Sequence, residues 1–249
     1  MANLPIAGIL ILSSDIRVAK DMQAAAVGLA APLRILPCST GQKFTEYGSK
    51  EKLAAIFIDE AFNKPLTTDW VNKIRASLSK NLGNDRAPIF LLKNECDFNS
   101  GQVAVLQGYV DIFLKPIDVA LIFQKLQLYI PKIGLLKNDM LFSMNVRDEV
   151  NMAVTGTMIQ ASEYGAIILC DRKFNSGDVL TFGSEMFSEN PNERTFCLAR
   201  VLVSELDSES GRYCTHLVFI APSRAMHSTI RKWLKKKYIE SSGEAKKVG

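Results

Sequence analysis

Five short apolar runs set the strongest limit on what the first 130 residues of this chain can become: Gly8–Leu12, Leu33–Pro37, Ala54–Ile58, Pro88–Leu92 and Asp111–Leu114. Each is rich in Ile, Leu and Phe and lacks polar alternation, which is the pattern of a strand buried on both faces. The segments between them have helical character. Asp15 is placed to cap a helix through Ala31, Thr67–Thr68–Asp69 to cap one running to about Leu82, Ser100 to open a short one to Gln107, and Asp118 to cap one through Ile130. In the last of these Val119, Ile122, Phe123, Leu126 and Tyr129 recur at helical spacing, and Thr40–Lys52 also reads as helix. Strands alternating with helices predict a doubly wound parallel sheet of flavodoxin-like type.

In such a sheet functional residues gather where the carboxyl ends of the strands open into loops. Ser13, Ser14 and Asp15 follow the first run, Asp59 and Glu60 the third, Lys93 and Asn94 the fourth, and Lys115 and Pro116 the fifth. A carboxylate facing a lysine across one sheet edge is a switch-like arrangement.

With IFIDE and GYVDIFLKPID in these places, residues 6–130 resemble the receiver domain of bacterial response regulators. The resemblance puts Asp59 at the phosphoacceptor position, Lys115 at the pocket lysine and Pro116 after it, with a cis Lys115–Pro116 bond compatible with the small cis penalty of X–Pro. It also implies Mg²⁺ held by an acidic pair after the first strand. Ser13 and Ser14 stand there instead, with only Asp15 nearby, and hydroxyls are poor substitutes for carboxylates around Mg²⁺. Lys93 stands where the family has Ser or Thr, so its ammonium is expected beside Asp59 in place of the metal's charge. Asp59, Lys93 and Lys115 would then form a structural ion cluster in a pseudo-receiver.

From about Pro131 the texture changes. Val150–Gln160, Gly165–Cys170, Asp178–Phe182, Thr195–Glu205 and Arg212–Ile220 read as strands separated by turn signals such as Asn175–Ser176–Gly177–Asp178. Several strands at short spacing predict a small antiparallel barrel. A closing helix from about Pro222 to Lys237 carries Ala225, Met226, Ile230, Trp233 and Leu234 on one face. The expected domains are 1–131, 132–240 and a flexible tail 241–249.

QASEYG followed by AIIL, then NSGDVLTF, CLARVLV, YCTHLVFI and the basic helix, resembles a PilZ domain over residues 136–238. That resemblance implies binding of cyclic di-GMP through an RxxxR motif and a [D/N]xSxxG turn. Ser162 and Gly165 match the turn, Gln160 takes the place of its Asp or Asn, and no RxxxR lies between Pro131 and Val150. Guanidiniums fork onto phosphates and stack on bases, whereas lysine supplies only charge. Two readings stay open. One is an altered nucleotide site using Lys132, Lys137, Arg147, Gln160, Ser162 and Gly165. In the other, Ser162 and Gly165 only shape a strand-to-strand turn, Gly165 by allowing positive φ.

A net charge of +4 is too small to imply nucleic-acid binding, although Arg231, Lys232, Lys235, Lys236 and Lys237 cluster. They read as a solvated helix face. The apolar run within Met1–Leu12 has no basic leader and is closed by Ser13, so it reads as a strand. The five cysteines are scattered and unpaired in pattern, which fits a reducing cytoplasm. Cys214 and His216, two apart on a strand, read as packing residues, and no catalytic or metal constellation is visible. With no catalytic constellation the chain reads as non-enzymatic, and the two resemblances imply a bacterial signalling adaptor or effector acting through protein contacts, with motility, pilus or secretion control as its output and a homodimer possible. The alternatives are a cyclic di-GMP receptor and a response regulator phosphorylated at Asp59.

Overall fold

The computed structural model describes residues 7–28, 33–62, 68–96, 98–130, 144–150, 156–190 and 195–245. The chain divides into two compact units, Met1–Met140 and Leu141–Gly249. The domain boundary expected at residue 131 lies outside the described residues.

In the first unit β1 (Ala7–Leu12), β2 (Leu33–Cys38), β3 (Leu53–Asp59), β4 (Ile89–Lys93) and β5 (Asp111–Leu114) form one parallel sheet. Its order is β2-β1-β3-β4-β5, the flavodoxin-like doubly wound order. The helices are α1 (Ile16–Gly28), α2 (Gly41–Lys50), α3 (Thr68–Ser77), α4 (Phe98–Leu106) and α5 (Val119–Tyr129). Ile9, Ile11, Phe57, Phe90 and Phe113 pack with Val18 and Met22 of α1 and with Ile122, Phe123 and Leu126 of α5. The pleat sends Leu10, Ile56, Ile89 and Leu91, all buried, to the opposite face. A strand buried on both faces needs apolar residues at every position, which is why the runs are unbroken.

The caps follow local chemistry. Thr40 accepts a hydrogen bond from Lys43 N, Asp118 from Leu121 N, and Asp15 from Arg17 N. α1 runs to Gly28, and the expected remainder to Ala31 lies outside the described residues. Two helices depart from expectation. α3 ends at Ser77, short of Leu82, because the next amides leave the helical ladder: Leu78 N bonds Arg75 O and Ser79 N bonds Gly48 O. α4 begins at Phe98, two residues before Ser100.

In the second unit β6 (Met144–Val150), β7 (Gly156–Ala161), β8 (Gly165–Cys170), β9 (Val179–Gly183), β10 (Phe196–Leu206) and β11 (Tyr213–Ile220) form an antiparallel sheet in the order β6-β7-β8-β11-β10-β9. Of the run expected as one strand over Val150–Gln160, Gly156–Gln160 lie on β7 and Val150 is the last residue of β6, a strand that was not expected; the two pair antiparallel with Val150 opposite Gly156. Among the described residues no ladder joins β9 to β6, so the expected barrel is described as a six-stranded sheet with two ends. The core holds Met158, Ile168, Phe182, Phe187 and Phe219, closed by Ile230 and Leu234 of α6 (Arg224–Ala245). Met226 and Trp233 lie against that core, whereas Ala225 is exposed. Residues 241–245, expected in a flexible tail, continue α6; Ser241 Oγ donates to Tyr238 O one turn back.

Candidate functional site

The parallel topology brings the loops after β1, β3, β4 and β5 to one edge of the sheet. Asp59, the last residue of β3, is buried there at 1% exposure. Its Oδ2 accepts from Ser13 Oγ at 2.7 Å, its Oδ1 from Ala61 N at 3.1 Å, and both oxygens lie 3.1 Å from Lys115 Nζ. A carboxylate offers about four lone-pair sites, and here four contacts use them. The neighbouring carboxylate is also engaged, since Glu60 Oε1 accepts from Asn94 N at 2.9 Å. The Lys115–Pro116 bond is cis.

Ser14 is exposed and takes no part in this cluster. Asp15 caps α1, and its carboxylate meets the Arg17 guanidinium at 3.1 and 3.2 Å. That hydrogen bonding holds the Asp15 carboxyl below its ordinary value. Beside these groups lies a cavity of about 400 Å³ lined by Asp15, Arg17, Asp21, Asn94, Lys115 and Pro116 among others.

Lys93 corrects an expectation. It is buried at the end of β4, and its carbonyl accepts from Lys115 N, but its ammonium makes no hydrogen bond or ion pair with Asp59 or with another described residue. Strand alternation gives the reason. Asp59 follows Ala55 and Phe57 on the face toward α1 and α5, while Lys93 follows Ile89 and Leu91 on the other face. The expected three-membered ion cluster is therefore a pair, Asp59 with Lys115, completed by Ser13. This donor set does not fit Mg²⁺. A divalent cation needs several free oxygens in octahedral array, and Asp59 is filled while Asp15 is held by Arg17. Among the described residues no group of three His, Cys, Asp or Glu side chains is placed to hold a metal.

In the second unit the QASEYG turn joins β7 to β8. Ser162 N donates to Gly165 O at 2.9 Å, and Ser162 Oγ donates to the same carbonyl at 3.3 Å while accepting from Tyr164 N at 3.2 Å. The hydroxyl is used inside the turn. Gly165 is not among the glycines with positive φ, which corrects the expected reason for it. It is required because a Cβ there would collide with the backbone carbonyl of Leu217 and lie 3.2 Å from Val218 Cα on the paired strand. Gln160 is half-buried on β7 and Arg147 lies on β6, while Lys132 and Lys137 lie outside the described residues.

The basic cluster on α6 is largely paired. Arg231 Nε meets Glu163 Oε2 at 2.8 Å and Lys232 Nζ meets Glu189 Oε1 at 2.6 Å. Lys236 and Lys237 lie 3.9 and 4.0 Å from Glu240, and Lys237 sits 5.4 Å from the Trp233 ring centre. Cys214 and His216 are half-buried, on the opposite alternation from buried Thr215 and Leu217. Burial pushes the Cys214 thiol up and the His216 imidazole down, so neither is activated toward a thiolate–imidazolium pair.

One polar cluster was not anticipated. Lys125 of α5 meets Asp111 Oδ2 at 2.7 Å in the core, Tyr129 OH donates to the same oxygen at 3.0 Å, and Ile112 N donates to Oδ1 at 2.7 Å. Lys125 Nζ also lies 5.4 Å from the Phe113 ring centre. The signal was present: Ile122, Lys125, Leu126 and Tyr129 share one helix face, and a lysine within an apolar stripe requires a buried partner.

No family model matches the chain, and no curated protein matches it. Among solved structures, a response regulator from Thermotoga maritima is similar, at 16% identity, over 51% of this chain and 98% of its own, with a TM-score of 0.40. The PilZ domain with c-di-GMP of YcgR from Escherichia coli is similar over 45% and 99%, at 10% identity and a TM-score of 0.36. The Bacillus subtilis inhibitor of motility MotI/DgrA is similar over 42% of this chain, at 12% identity and a TM-score of 0.37. This chain matches 53% of that inhibitor's length. The receiver-type fold of the first unit rests on its own sheet order, and the PilZ-type layout of the second on its antiparallel sheet and closing helix. Among the described residues no helix is long and apolar enough to cross a membrane.

Proposed function

We propose that this chain is a non-enzymatic bacterial signalling adaptor whose output passes through protein contacts, with a pseudo-receiver unit joined to a degenerate PilZ-type unit. The observation that carries this reading is the filled carboxylate of Asp59. A phosphoacceptor must present a free oxygen to an incoming phosphoryl group, and each oxygen here is shared between Lys115 and a second donor, Ser13 or Ala61 N. In the second unit, Ser162 is likewise engaged within its own turn. A motility, pilus or secretion component of the cytoplasm is the class of partner we favour.

Two measurements on the full-length protein test this. Calorimetric titration with cyclic di-GMP is expected to give no saturable heat; saturable binding at micromolar ligand would replace the adaptor reading with that of a nucleotide receptor. Intact mass after acetyl phosphate is expected to be unchanged. A phosphoryl increment lost in Asp59→Ala would make the first unit a working phosphoacceptor.

A further inference from the structure

Asp59 carries its charge in a nearly dry position, so the fold must supply a compensating charge and donors. The receiver resemblance divides that task between the pocket lysine and a divalent cation. In this chain the compensating charge belongs to Lys115, whose ammonium is shared between both carboxylate oxygens at 3.1 Å. Ser13, standing where an acidic residue would help hold a metal, turns its hydroxyl onto Asp59 at 2.7 Å as a donor. A carboxylate at residue 13 would repel Asp59 unless a cation lay between them, whereas a hydroxyl needs none. The kept lysine and the changed residue 13 therefore act in one direction.

The same contacts brace the edge. Asp59 links the loops after β1 and β5 through Ser13 and Lys115, and Glu60 links the loop after β4 through Asn94 N. Four loops that a switch would move independently are tied to two consecutive carboxylates.

We infer that Lys115 is a built-in counter-ion for Asp59 which, with Ser13 as hydrogen-bond donor, replaces a divalent cation and holds this sheet edge in one closed arrangement without metal or phosphoryl group. The inference deepens the pseudo-receiver part of the adaptor reading. It would fail if metal bound, whereas the adaptor reading would fail only if phosphoryl transfer or saturable nucleotide binding followed.

The test uses the full chain and thermal melting. Wild-type protein is melted in EDTA, in millimolar Mg²⁺ or Mn²⁺, and in Mg²⁺ with beryllofluoride, a phosphoryl mimic. A ligand that binds only the folded state raises the midpoint by mass action. The expected result is the same midpoint in all conditions. A rise with cation that disappears in Asp59→Asn would overturn the inference. In parallel, Lys115→Met is expected to melt well below wild type, and the double variant Asp59→Asn/Lys115→Met to recover most of the loss, because removing both charges leaves none unpaired. Equal midpoints for the single and double variants would overturn it. If Lys115→Met does not fold at all, a folded double variant supports the inference and an unfolded one overturns it.

Discussion

The first unit contains two Asp–Lys pairs that end in different places. Asp111 and Lys125 meet in the core, with side-chain exposures of 0% and 1%. Asp59 and Lys115 meet at the loop edge, with exposures of 2% and 16%. Both aspartates lie on strands of the same sheet, and both lysines come from later in the chain. The core pair is joined by half-buried Tyr129 and flanked by the Phe113 ring. The edge pair is joined by Ser13 from a loop and borders a cavity that Lys115 helps line. Burying a charge is costly in both places. In the core its yield is a fixed helix-to-sheet register; at the edge it is closure of a site that charge of another kind could have operated.

The sharpest way to break this comparison is to remove each partner in turn. Lys125→Met leaves Asp111 charged in the core and is expected to cost about 3–5 kcal/mol in urea unfolding, the usual range for a broken buried pair. Replacing both, as Asp111→Asn/Lys125→Met, is expected to restore most of that. If the single variant cost less than about 1 kcal/mol, burial would not be what separates the core pair from a surface one. The supporting donors come next. Tyr129→Phe removes a hydrogen bond to a buried carboxylate and is expected to cost about 2 kcal/mol. Ser13→Ala removes a buried bond at the edge, where Lys115 and Ala61 N still serve Asp59, and is expected to cost about 1 kcal/mol. Equal costs for these two would mean that the donors left to Asp59 compensate no better than those left to Asp111.

The difference between what was readable in the sequence and what was not follows the same division. The five parallel strands were legible within a residue or two because each run, from Ile9–Ile11 to Asp111–Leu114, is mostly apolar, although β2 exposes Arg34 and Pro37. The pairing of Asp59 with Lys115 was legible because topology alone collects the strand ends. Lys93 was misplaced because adjacency to the edge says nothing about which side of the pleat a residue takes. Lys125 was passed over because a search for apolar spacing counts Ile122, Leu126 and Tyr129 and skips the cation between them. The division between β6 and β7 was hidden because Val150–Gln160 has a continuous β-like texture, and its one glycine, Gly156, is itself the first residue of β7. The ion pair of Arg231 with Glu163 spans 68 residues and has no local signature at all.

That last pair supplies the smallest expected effect and closes the range of burial. Arg231 is 59% exposed and Glu163 21%, so water and salt screen them far more than either aspartate in the first unit. Glu163 sits in the Ser162–Gly165 turn, whose own backbone bonds hold its shape without help from α6. Arg231→Ala is therefore expected to lower stability by about 0.5 kcal/mol or less. The difference from wild type should shrink further as salt is raised, read by urea midpoints at low and high ionic strength. The Lys125→Met deficit should hold nearly constant across the same salt range, since its partner is out of reach of mobile ions. A salt-insensitive loss at Arg231 would show that α6 clamps the turn as tightly as the core holds α5, and the ordering by burial would then have to give way to one based on geometry.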